Sequence, residues 1–312
     1  MNQTIKVVAI GECMLEIQAN GFGPAVLSYG GDTFNTAVYL RRCSTPSAIQ
    51  VGYATGLGDD PLSQKLIHEW TAMGLDLNQT RKIAGKLPGM YLIETDDCGE
   101  RRFHFWRENS AARSYFDIEL SPIEAEGDQI DCFYFSGISL AILNESARQR
   151  LFKLLAHQKA NGKVVVFDNN YRPRLWPNKH TTQQVFNEAF SVSTIAMITT
   201  DDHKDVFDFS TLDEAVAHAQ SLSVEEIVIK CGASPTLVRA KNSDHWEKVP
   251  AQSVEKVVDT TAAGDSFAAG YLSKRLLGAS PLIAADFGNR VAAKVVQHRG
   301  AIIPLDAMKE LM

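Results

Sequence analysis

Short apolar runs recur along the chain, and several are separated by segments long enough to form a helix. The strand-like runs are Ile5–Ile10, Cys132–Phe135, Val164–Phe167, Ile195–Ile198 and Ile227–Lys230. The intervening segments with apolar residues at helical spacing include Ser146–Ala160, Thr181–Phe190 and Leu212–Leu222. Because buried strands alternate with amphipathic helices, the pattern predicts an α/β fold whose central, mostly parallel sheet carries helices on both faces.

The residues that follow the predicted strands indicate where a ligand binds. In open sheets of this kind, ligands occupy the crevice beyond the carboxyl ends of the strands. Gly11, Asn169, Thr200 and Gly232 each come after a predicted strand. We therefore expect these four residues to line one rim of the sheet.

Two stretches, Glu12–Tyr29 and Leu87–Ala112, depart from this rhythm because polar and apolar residues alternate along them. Residues 87–94 and 101–106 predict a hairpin around the turn signal Asp96-Asp97-Cys98-Gly99. Neither stretch has a strong hydrophobic face of its own. We expect residues of about 12–30 and 87–112 to form a small β-sheet lid on a single domain spanning 1–312, and the lid to be a candidate dimer surface.

Composition narrows the class of protein. The 312 residues are 45% hydrophobic and 22% charged, as in soluble globular proteins, and the net charge of −6 with no long basic run argues against nucleic-acid or anionic-membrane partners. The five cysteines are scattered and lack a Cys-x-x-Cys pair, which is typical of reduced thiols. The N-terminus predicts a buried strand rather than a signal peptide, and we expect a cytoplasmic protein.

A stretch of small residues at 262–264 carries the strongest chemical signal. Ala262, Ala263 and Gly264 have almost no side chain, so an anion can approach their backbone N–H groups at the start of a predicted helix. Asp265 follows in the first turn. It is either an acid that complements the helix dipole, or the group that takes a proton from a hydroxyl attacking a bound phosphate.

A second glycine-containing motif begins at Gly30 and Gly31. One interpretation is a turn in which Asp32 or Thr33 caps a helix that continues to Leu40. The other is a site for the hydroxyl groups of a sugar, which the two glycines allow to approach closely.

Both motifs resemble signatures of the ribokinase-like, or PfkB, carbohydrate kinases. The sequence Asp-Thr-Thr-Ala-Ala-Gly-Asp-Ser-Phe at 259–267 resembles the family's second signature, and residues 30–37 resemble its first. The resemblance implies a ribokinase-like fold with Asp265 as general base and residues 262–264 as the anion hole. It further implies sugar contacts from Gly30, Gly31, Asp32, Asn35 and Asp265. Ala262 stands where relatives usually have glycine, and its methyl group requires a negative φ.

Further segments resemble the 2-keto-3-deoxygluconate kinases of this family, and the resemblance extends from Gly11 to Pro304. The segments are 87–91, 99–107, 135–143 and 170–176. They imply that Arg107 binds the carboxylate of a sugar acid from the lid, as a bidentate guanidinium can. They also imply substrate contacts from Tyr91, Phe105 and Arg172, where relatives often carry tyrosine at position 105. From the residues alone, each arginine is more often a solvated surface side chain.

The resemblance also assigns the nucleotide site. Residues 229–235 resemble the family's ATP loop, and the implied ATP-binding residues are Asn170, Arg172, Lys230, Gly232, Ala233, Ser234, Gly264 and Asn289. Asn289 lies on a predicted helix over 284–298 and could instead be a plain exposed asparagine.

Two cation sites are implied. The family's Asn-x-x-Glu magnesium motif corresponds to residues 200–203, so His203, a poor ligand for a hard cation, occupies the glutamate position. Asp202 or Asp201 would hold Mg²⁺ through water in its place, although such an acidic pair is also typical of a solvated helix start. Oxygens of Asp259 and Thr261 would bind K⁺.

These implications predict an ATP- and Mg²⁺-dependent kinase that phosphorylates the terminal O6 hydroxyl of 2-keto-3-deoxygluconate. Two alternatives stay open. The first is another ribokinase-like kinase, acting on fructose, ribose or a related keto-deoxy acid. The second is a non-catalytic sensor of sugar acids, which the altered magnesium motif leaves open and the Gly264-Asp265 pair argues against.

Overall fold

The computed structural model describes residues 4–19, 23–95 and 101–311, so the predicted turn at 96–99 lies outside it. The strands are β1 (Ile5–Ile10), β2 (Met14–Ala19), β3 (Ala25–Gly30), β4 (Ile49–Ala54), β5 (Gly56–Leu57), β6 (Arg81–Lys82), β7 (Met90–Thr95), β8 (Arg101–Trp106), β9 (Cys132–Ser136), β10 (Val164–Asp168), β11 (Ile195–Thr199), β12 (Glu226–Lys230), β13 (Thr236–Arg239) and β14 (Glu247–Val249). The helices are α1 (Asp32–Arg42), α2 (Pro61–Ala72), α3 (Pro122–Ala125), α4 (Gly137–Ile142), α5 (Glu145–Ala160), α6 (Lys179–Val192), α7 (Thr200–Phe207), α8 (Leu212–Ser221), α9 (Ala263–Arg275) and α10 (Pro281–Val295).

The largest sheet has eight strands in the order β14-β13-β12-β11-β10-β9-β1-β4. The six strands from β12 to β4 run parallel, and β13 and β14 form an antiparallel edge. The mostly parallel sheet is therefore confirmed, and each of the five predicted strands matches an observed strand to within one residue at either end. The pattern did not predict β4, β13 or β14.

Helices cover both faces of this sheet because side chains along each strand alternate between two apolar cores. In β9, Cys132 and Tyr134 pack into the core that contains residues of α1, α9 and α10. Phe133 and Phe135 pack into the opposite core, which contains residues of α5 and α6. This period of two is what burial on both faces requires. Among the described helices, none combines the length and the apolar character that crossing a membrane requires.

A separate four-stranded sheet, in the order β3-β2-β7-β8, is built from the two stretches that departed from the rhythm. Strands β7 and β8 form the expected antiparallel hairpin, which begins at Met90 rather than at Leu87. Pro88 lacks a backbone N–H and cannot donate to the ladder, which explains the later start.

The rim of the main sheet differs from the expectation in detail. Asn169 is fully buried, and its side-chain amide exchanges hydrogen bonds of 3.0 and 2.9 Å with the backbone of Thr199. Gly11 packs against α1, since a Cβ there would lie 2.2 Å from Thr33 Oγ1. Asp168 and Asn170, on either side of Asn169, face the cavity instead, as does Lys230 at the end of β12. The residue directly after a strand can thus support the rim rather than line it.

Candidate active site

A cavity of about 640 Å³ lies beyond the carboxyl ends of the parallel strands, bounded on one side by the four-stranded sheet. Its volume is in the range of small-molecule sites. It brings together predicted residues from distant parts of the chain: Gly30, Gly31, Asp32, Asn35, Tyr91, Phe105, Asn170, Arg172, Asp202, Lys230, Asp259, Thr261, Ala262, Ala263, Gly264 and Asp265.

The start of α9 forms one wall of the cavity. No side chain caps this helix, and Ala262 is its N-cap residue. The uncapped N–H groups of the first turn and the positive end of the helix dipole therefore suit an anion such as a phosphate. A side chain on Gly264 would project toward Lys230 Nζ, 3.5 Å away, so the wall also carries an ammonium group.

The backbone at Ala262 contradicts the expectation of a negative φ. Its φ is 61° and its ψ is 17°, which is the left-handed region. Ala262 lies in a tight turn, in which the Ala263 N–H donates to the Thr260 carbonyl at 3.1 Å. A left-handed alanine costs about 1–2 kcal/mol relative to the usual helical region, so the residue is strained where glycine would not be.

Asp265 lies in the first turn of α9, and its position is held by the glycine-containing motif at residues 30–37. Asn35 Nδ2 donates to Asp265 Oδ2 at 2.9 Å, and Thr36 Oγ1 donates to the Asp265 carbonyl at 3.3 Å. Burial, followed by the negative charge of Asp32, raises the pKa of Asp265 to about 8. A carboxylate that faces the cavity with a raised pKa can accept a proton near neutral pH, and complementing the helix dipole would not require this contact with Asn35.

Asp32 does not cap α1, so the capping interpretation is wrong. The N-cap of α1 is Gly31, and no side chain makes a cap hydrogen bond. The Asp32 carboxylate instead accepts a hydrogen bond from Asn170 Nδ2 at 2.9 Å inside the cavity. Burial raises the pKa of Asp32. Gly31 packs closely against the backbone of Glu12, and a Cβ at position 31 would lie 2.1 Å from the Glu12 carbonyl oxygen. Only glycine fits there.

Asp168 is a cavity residue that the sequence argument missed. It ends β10 and accepts a hydrogen bond from Lys230 Nζ, which ends β12, at 2.7 Å. Both side chains are nearly buried, at 4% and 10% exposed. The position of Asp168 directly after an apolar strand was a signal that could have identified it.

Arg107 is not among the residues that line the cavity. Its guanidinium forms a buried ion pair with the carboxylate of Glu12, a residue that the sequence argument did not single out. In the described part of the chain, Glu12 Oε1 and Arg107 Nε have no hydrogen-bond partner. The surface-arginine alternative is therefore wrong for Arg107, which is 7% exposed.

Tyr91 and Phe105 line the cavity from the four-stranded sheet. Tyr91 and Phe105 are cross-strand neighbours, and their ring centroids lie 5.7 Å apart. The Tyr91 hydroxyl donates to Glu16, another cavity residue that the sequence did not reveal. This face of the sheet therefore offers two packed aromatic rings beside a carboxylate.

In the segment that corresponds to the magnesium motif, Asp202 and His203 point in different directions. Asp202 lines the cavity, and its Oδ2 accepts from the Tyr171 N–H at 3.1 Å and lies 3.8 Å from Arg172 Nη1. His203 is fully buried, contacts His218 at 2.9 Å, and has a pKa lowered to about 3 by burial. It points into an aromatic cluster and cannot serve as a magnesium ligand.

The Asp202 carboxylate lines the same cavity as the start of α9, where a phosphate would bind. This arrangement fits Mg²⁺, which typically binds one or two carboxylates plus phosphates and water. Across the described ranges, no group of three His, Cys, Asp or Glu side chains is arranged to hold a metal ion by itself. Asp202 is therefore suited to a metal that arrives with a phosphate ligand.

The remaining nucleotide residues lie away from the cavity. Gly232, Ala233 and Ser234 form an exposed loop after β12, and Gly232 has a φ of 62°. Asn289 is buried, so the exposed-asparagine alternative is wrong. Its amide accepts from Thr236 Oγ1 at 3.1 Å and donates to the Pro250 carbonyl at 3.0 Å, which ties α10 to the sheet edge.

The proposed potassium ligands form a compact loop at the cavity edge. The backbone N–H and the hydroxyl of Thr261 donate to Asp259 Oδ1 at 3.0 and 2.6 Å, and the Gly300 N–H donates to Asp259 Oδ2 at 3.1 Å. The loop therefore has a defined conformation and presents oxygen atoms.

Comparison with known proteins adds the following findings. The pattern of the pfkB family carbohydrate kinases matches residues 4–308. The chain is 45% identical to a 2-dehydro-3-deoxygluconokinase of Dickeya dadantii (strain 3937), covering 98% of this chain and 99% of that protein. It is 44% identical to a 2-dehydro-3-deoxygluconokinase of Escherichia coli (strain K12), covering 97% and 98%.

Solved structures share the fold. The 2-dehydro-3-deoxygluconokinase of Thermotoga maritima superposes with a TM-score of 0.79 at 21% identity, covering 99% of this chain and 98% of the other. A putative ribokinase II of Escherichia coli, solved in complex with ATP and Mg²⁺, gives a TM-score of 0.81 at 22% identity, covering 98% of each chain. The fold is thus the ribokinase-like one that the resemblance implied.

Proposed function

This chain belongs to the pfkB family of carbohydrate kinases, and we propose that it phosphorylates 2-keto-3-deoxygluconate, also called 2-dehydro-3-deoxygluconate, with ATP. The observation that carries the kinase assignment is Asp265, which faces the cavity at the start of α9 and is held by Asn35. The substrate assignment rests on the names of relatives that match the chain almost from end to end.

In the proposed reaction the O6 hydroxyl of the sugar acid attacks the γ-phosphorus of ATP. The new O6–P bond forms as the bond between the γ-phosphorus and the bridging oxygen breaks, and ADP leaves with that electron pair. Asp265 accepts the hydroxyl proton, which makes the attacking oxygen more nucleophilic. Asn35 orients the carboxylate, and Gly30 and Gly31 let the sugar lie against the backbone.

Positioning and charge supply most of the acceleration in phosphoryl transfer. The backbone at 262–264 would hold the transferred phosphoryl group, and Lys230 and Arg172 would offset its charge. Asp202 would hold Mg²⁺ through water, and the metal would contribute neutralisation of phosphate charge. Asn170 and the loop at 232–234 would contact the nucleotide, and Asn289 would support the base site through its bond to Pro250.

The oxygens at Asp259 and Thr261 would hold K⁺ beside the anion hole. Comparing turnover in potassium and sodium salts at equal ionic strength tests this assignment, and equal rates would count against it.

We propose that the chain is one domain and that the four-stranded sheet closes over the cavity as a lid. Tyr91 and Phe105 would then contact the sugar acid, and closure would exclude water that otherwise hydrolyses ATP. Direct binding of the substrate carboxylate by Arg107 requires the carboxylate to displace Glu12, which is a like-charged ligand of the same guanidinium. Arg172 and Arg299 line the cavity and offer further cationic groups.

The pairing of Arg107 with Glu12 favours a second candidate, a kinase of a neutral sugar. If Glu12 stays bound to Arg107, the carboxylate of a sugar acid loses its expected partner. A fructokinase of Klebsiella pneumoniae is 26% identical over 86% of this chain. A neutral sugar would not need the guanidinium.

A coupled ADP-release assay decides between these functions. The panel contains 2-keto-3-deoxygluconate, its lactone, a related keto-deoxy acid, fructose and ribose, and Asp265→Asn serves as the catalytic control. A higher kcat/KM for the sugar acid than for any neutral sugar supports the first proposal, and the reverse supports the second. Binding of the sugar acid without substrate-dependent ADP release in the wild-type protein would instead identify a sensor.

As partners we propose ATP, the sugar acid and further copies of the same chain, without nucleic acid or membrane. The reduced state of Cys13, Cys43, Cys132 and Cys231, which are free thiols, suits the cytoplasmic location expected from the sequence.

A further inference from the structure

Two side chains at the floor of the cavity form a charge pair whose role goes beyond nucleotide binding. Asp168 and Lys230 end two strands, β10 and β12, that are separated in the sheet by β11. Lys230 Nζ and Asp168 Oδ2 are 2.7 Å apart, and both side chains are nearly buried. Burying such a pair costs desolvation free energy, so its presence at a reaction site calls for a function.

The position of the ammonium group shows what the pair can act on. Lys230 Nζ lies 3.5 Å from the point that a Cβ on Gly264 would occupy, directly under the first turn of α9. Gly264 belongs to the proposed anion hole, and Asp265 is the next residue. The pair therefore lies beside the proposed site of phosphoryl and proton transfer.

Asp168 is fixed from several sides. Besides Lys230, it accepts a hydrogen bond from the Tyr134 hydroxyl at 3.3 Å, and its other oxygen accepts from the Asn170 N–H at 3.4 Å. Tyr134 in turn accepts from Thr36 on α1 at 3.3 Å. A carboxylate held in this way can keep a flexible lysine side chain in one place.

We propose that Asp168 is a positioning residue, which holds the Lys230 ammonium under the anion hole so that the opposite charges of the pair jointly control ionisation of Asp265. This inference rests on the proposed kinase function. The positive charge of Lys230 stabilises the ionised form of Asp265 and the negative charge of the phosphoryl group. The negative charge of Asp168 limits both effects.

Other charged groups also face Asp265, and they set the background against which the pair acts. From α1 they are Asp32 and Tyr39, from β9 Tyr134, and from the cavity wall Arg172 and Arg299. Changing Asp168 or Lys230 leaves these five side chains in place, but Asp168 accepts a hydrogen bond from the Tyr134 hydroxyl, and its charge also raises the pKa of Asp32 and of Tyr134. Removing Asp168 takes away a negative charge that opposes ionisation of Asp265, whereas removing Lys230 takes away a positive charge that favours it.

The test compares Asp168→Asn, Lys230→Met and the double variant by the pH dependence of kcat/KM for the sugar acid at saturating ATP. In Asp168→Asn the amide oxygen can still accept from Lys230 and keep the ammonium in place, so only the negative charge is lost. We therefore expect Asp168→Asn to move the acidic limb down by about one pH unit and Lys230→Met to move it up by a similar amount, as a neighbouring charge does. The double variant should return close to the wild-type profile, and it leaves no unpaired buried charge that would hinder folding.

A matched control is the ion pair between Glu226, which is buried at the other end of β12, and Arg275 of α9, whose side chain is 30% exposed, with a contact of 2.9 Å. Glu226→Gln combined with Arg275→Met removes a strand-end ion pair of the same kind without touching the cavity. This control should leave the pH profile unchanged. Single-variant shifts in the same direction, or no shifts, would overturn the inference and leave the pair as a structural link between strands.

A readout without turnover separates this inference from the proposed function. The carboxyl ¹³C signal of Asp265, identified by its loss in Asp265→Asn, should titrate in the same order across the variants. If the wild-type protein releases no ADP but this order is observed, the proposed reaction fails and the charge relationship stands. The opposite combination overturns the inference alone.

Discussion

The guanidinium of Arg107 is paired with the carboxylate of Glu12 at the base of the four-stranded sheet, where both side chains are buried. Four chain connections between this sheet and the main domain meet here. Glu12 precedes β2, Gly31 follows β3, Gly89 precedes β7 and Arg107 follows β8. A Cβ on Gly89 would lie 2.6 Å from Glu12 Oε1, so the connections pack tightly around the pair. The pair therefore joins the proposed lid to the body of the protein.

Truncating Arg107 should destabilise the protein, whether or not it also weakens substrate binding. Arg107→Ala leaves the Glu12 charge buried without a partner, which costs about 3–5 kcal/mol of unfolding free energy. Urea unfolding measures this loss. The double variant Glu12→Gln, Arg107→Met should recover most of it, because no charge is left unpaired.

The same variants separate a structural from a binding role. If Arg107 also takes the substrate carboxylate, the stable double variant should show a raised KM for the sugar acid and an unchanged KM for ATP. Arg107→Ala with wild-type stability would mean that the ion pair contributes nothing to the fold.

Much of the fold follows from local pattern, because a strand buried on both faces must be continuously apolar. That is why β1 and β9 to β12 were predicted closely. Strands β13 and β14 escaped prediction because both are short and carry mixed polar and apolar residues, and β14, which is the edge strand, has only three residues. The lid stretches were located by their alternation, which is what a half-exposed sheet requires.

The site was predicted where a motif carries its own chemistry and missed where function depends on a partner. Asp265 and Asn35 lie 230 residues apart, yet each belongs to a recognisable motif. Glu12 and Asp168 gave weaker signals, since each matters only through a distant cation, Arg107 or Lys230. The conformation of Ala262 was predicted wrongly because the turn geometry outweighs the local preference of alanine.

Replacing Asp265 with asparagine should abolish most turnover while keeping the fold. The amide can still pair with Asn35 but cannot accept the hydroxyl proton, so kcat should fall by about 10²–10⁴-fold, the usual contribution of general-base catalysis. Steady-state ADP release and a melting curve measure the two properties. Turnover close to that of the wild-type protein would assign the base to another residue.

The same replacement predicts a pH-dependent gain in stability. The folded-state pKa of Asp265, about 8, lies above the ordinary value of 3.8. Between these values the folded protein holds a proton that the unfolded chain releases, so stability declines as the pH rises through that window. Asp265→Asn removes this decline. In urea unfolding, the margin by which Asp265→Asn exceeds the wild type in stability should grow from about pH 5 to about pH 8.

The outer face of the four-stranded sheet predicts self-association. Phe103 and Phe105 face the cavity, whereas Leu27 and Trp106 lie on the other face and are 55% and 57% exposed. Exposed apolar side chains on a sheet are typical of an interface. Sedimentation velocity should show an oligomer for the wild-type protein and a smaller species for Trp106→Glu. Leu120→Glu, which alters an exposed apolar residue elsewhere, is the control, and a wild-type monomer would contradict the prediction.

Ala262→Gly should stabilise the protein without reducing its activity. Glycine adopts a φ of 61° without the clash that alanine suffers, and this relief exceeds the entropy that glycine adds to the unfolded chain. We expect a net gain of about 0.5–1 kcal/mol in unfolding free energy. Ala263→Gly is the matched control, since Ala263 is the first helical residue of α9 and glycine there should not stabilise the protein. Equal effects of the two substitutions on the urea midpoint would mean that the left-handed turn at Ala262 carries no strain. Reduced turnover of the sugar acid by Ala262→Gly at full stability would show instead that the methyl group helps to hold the anion hole in its active shape.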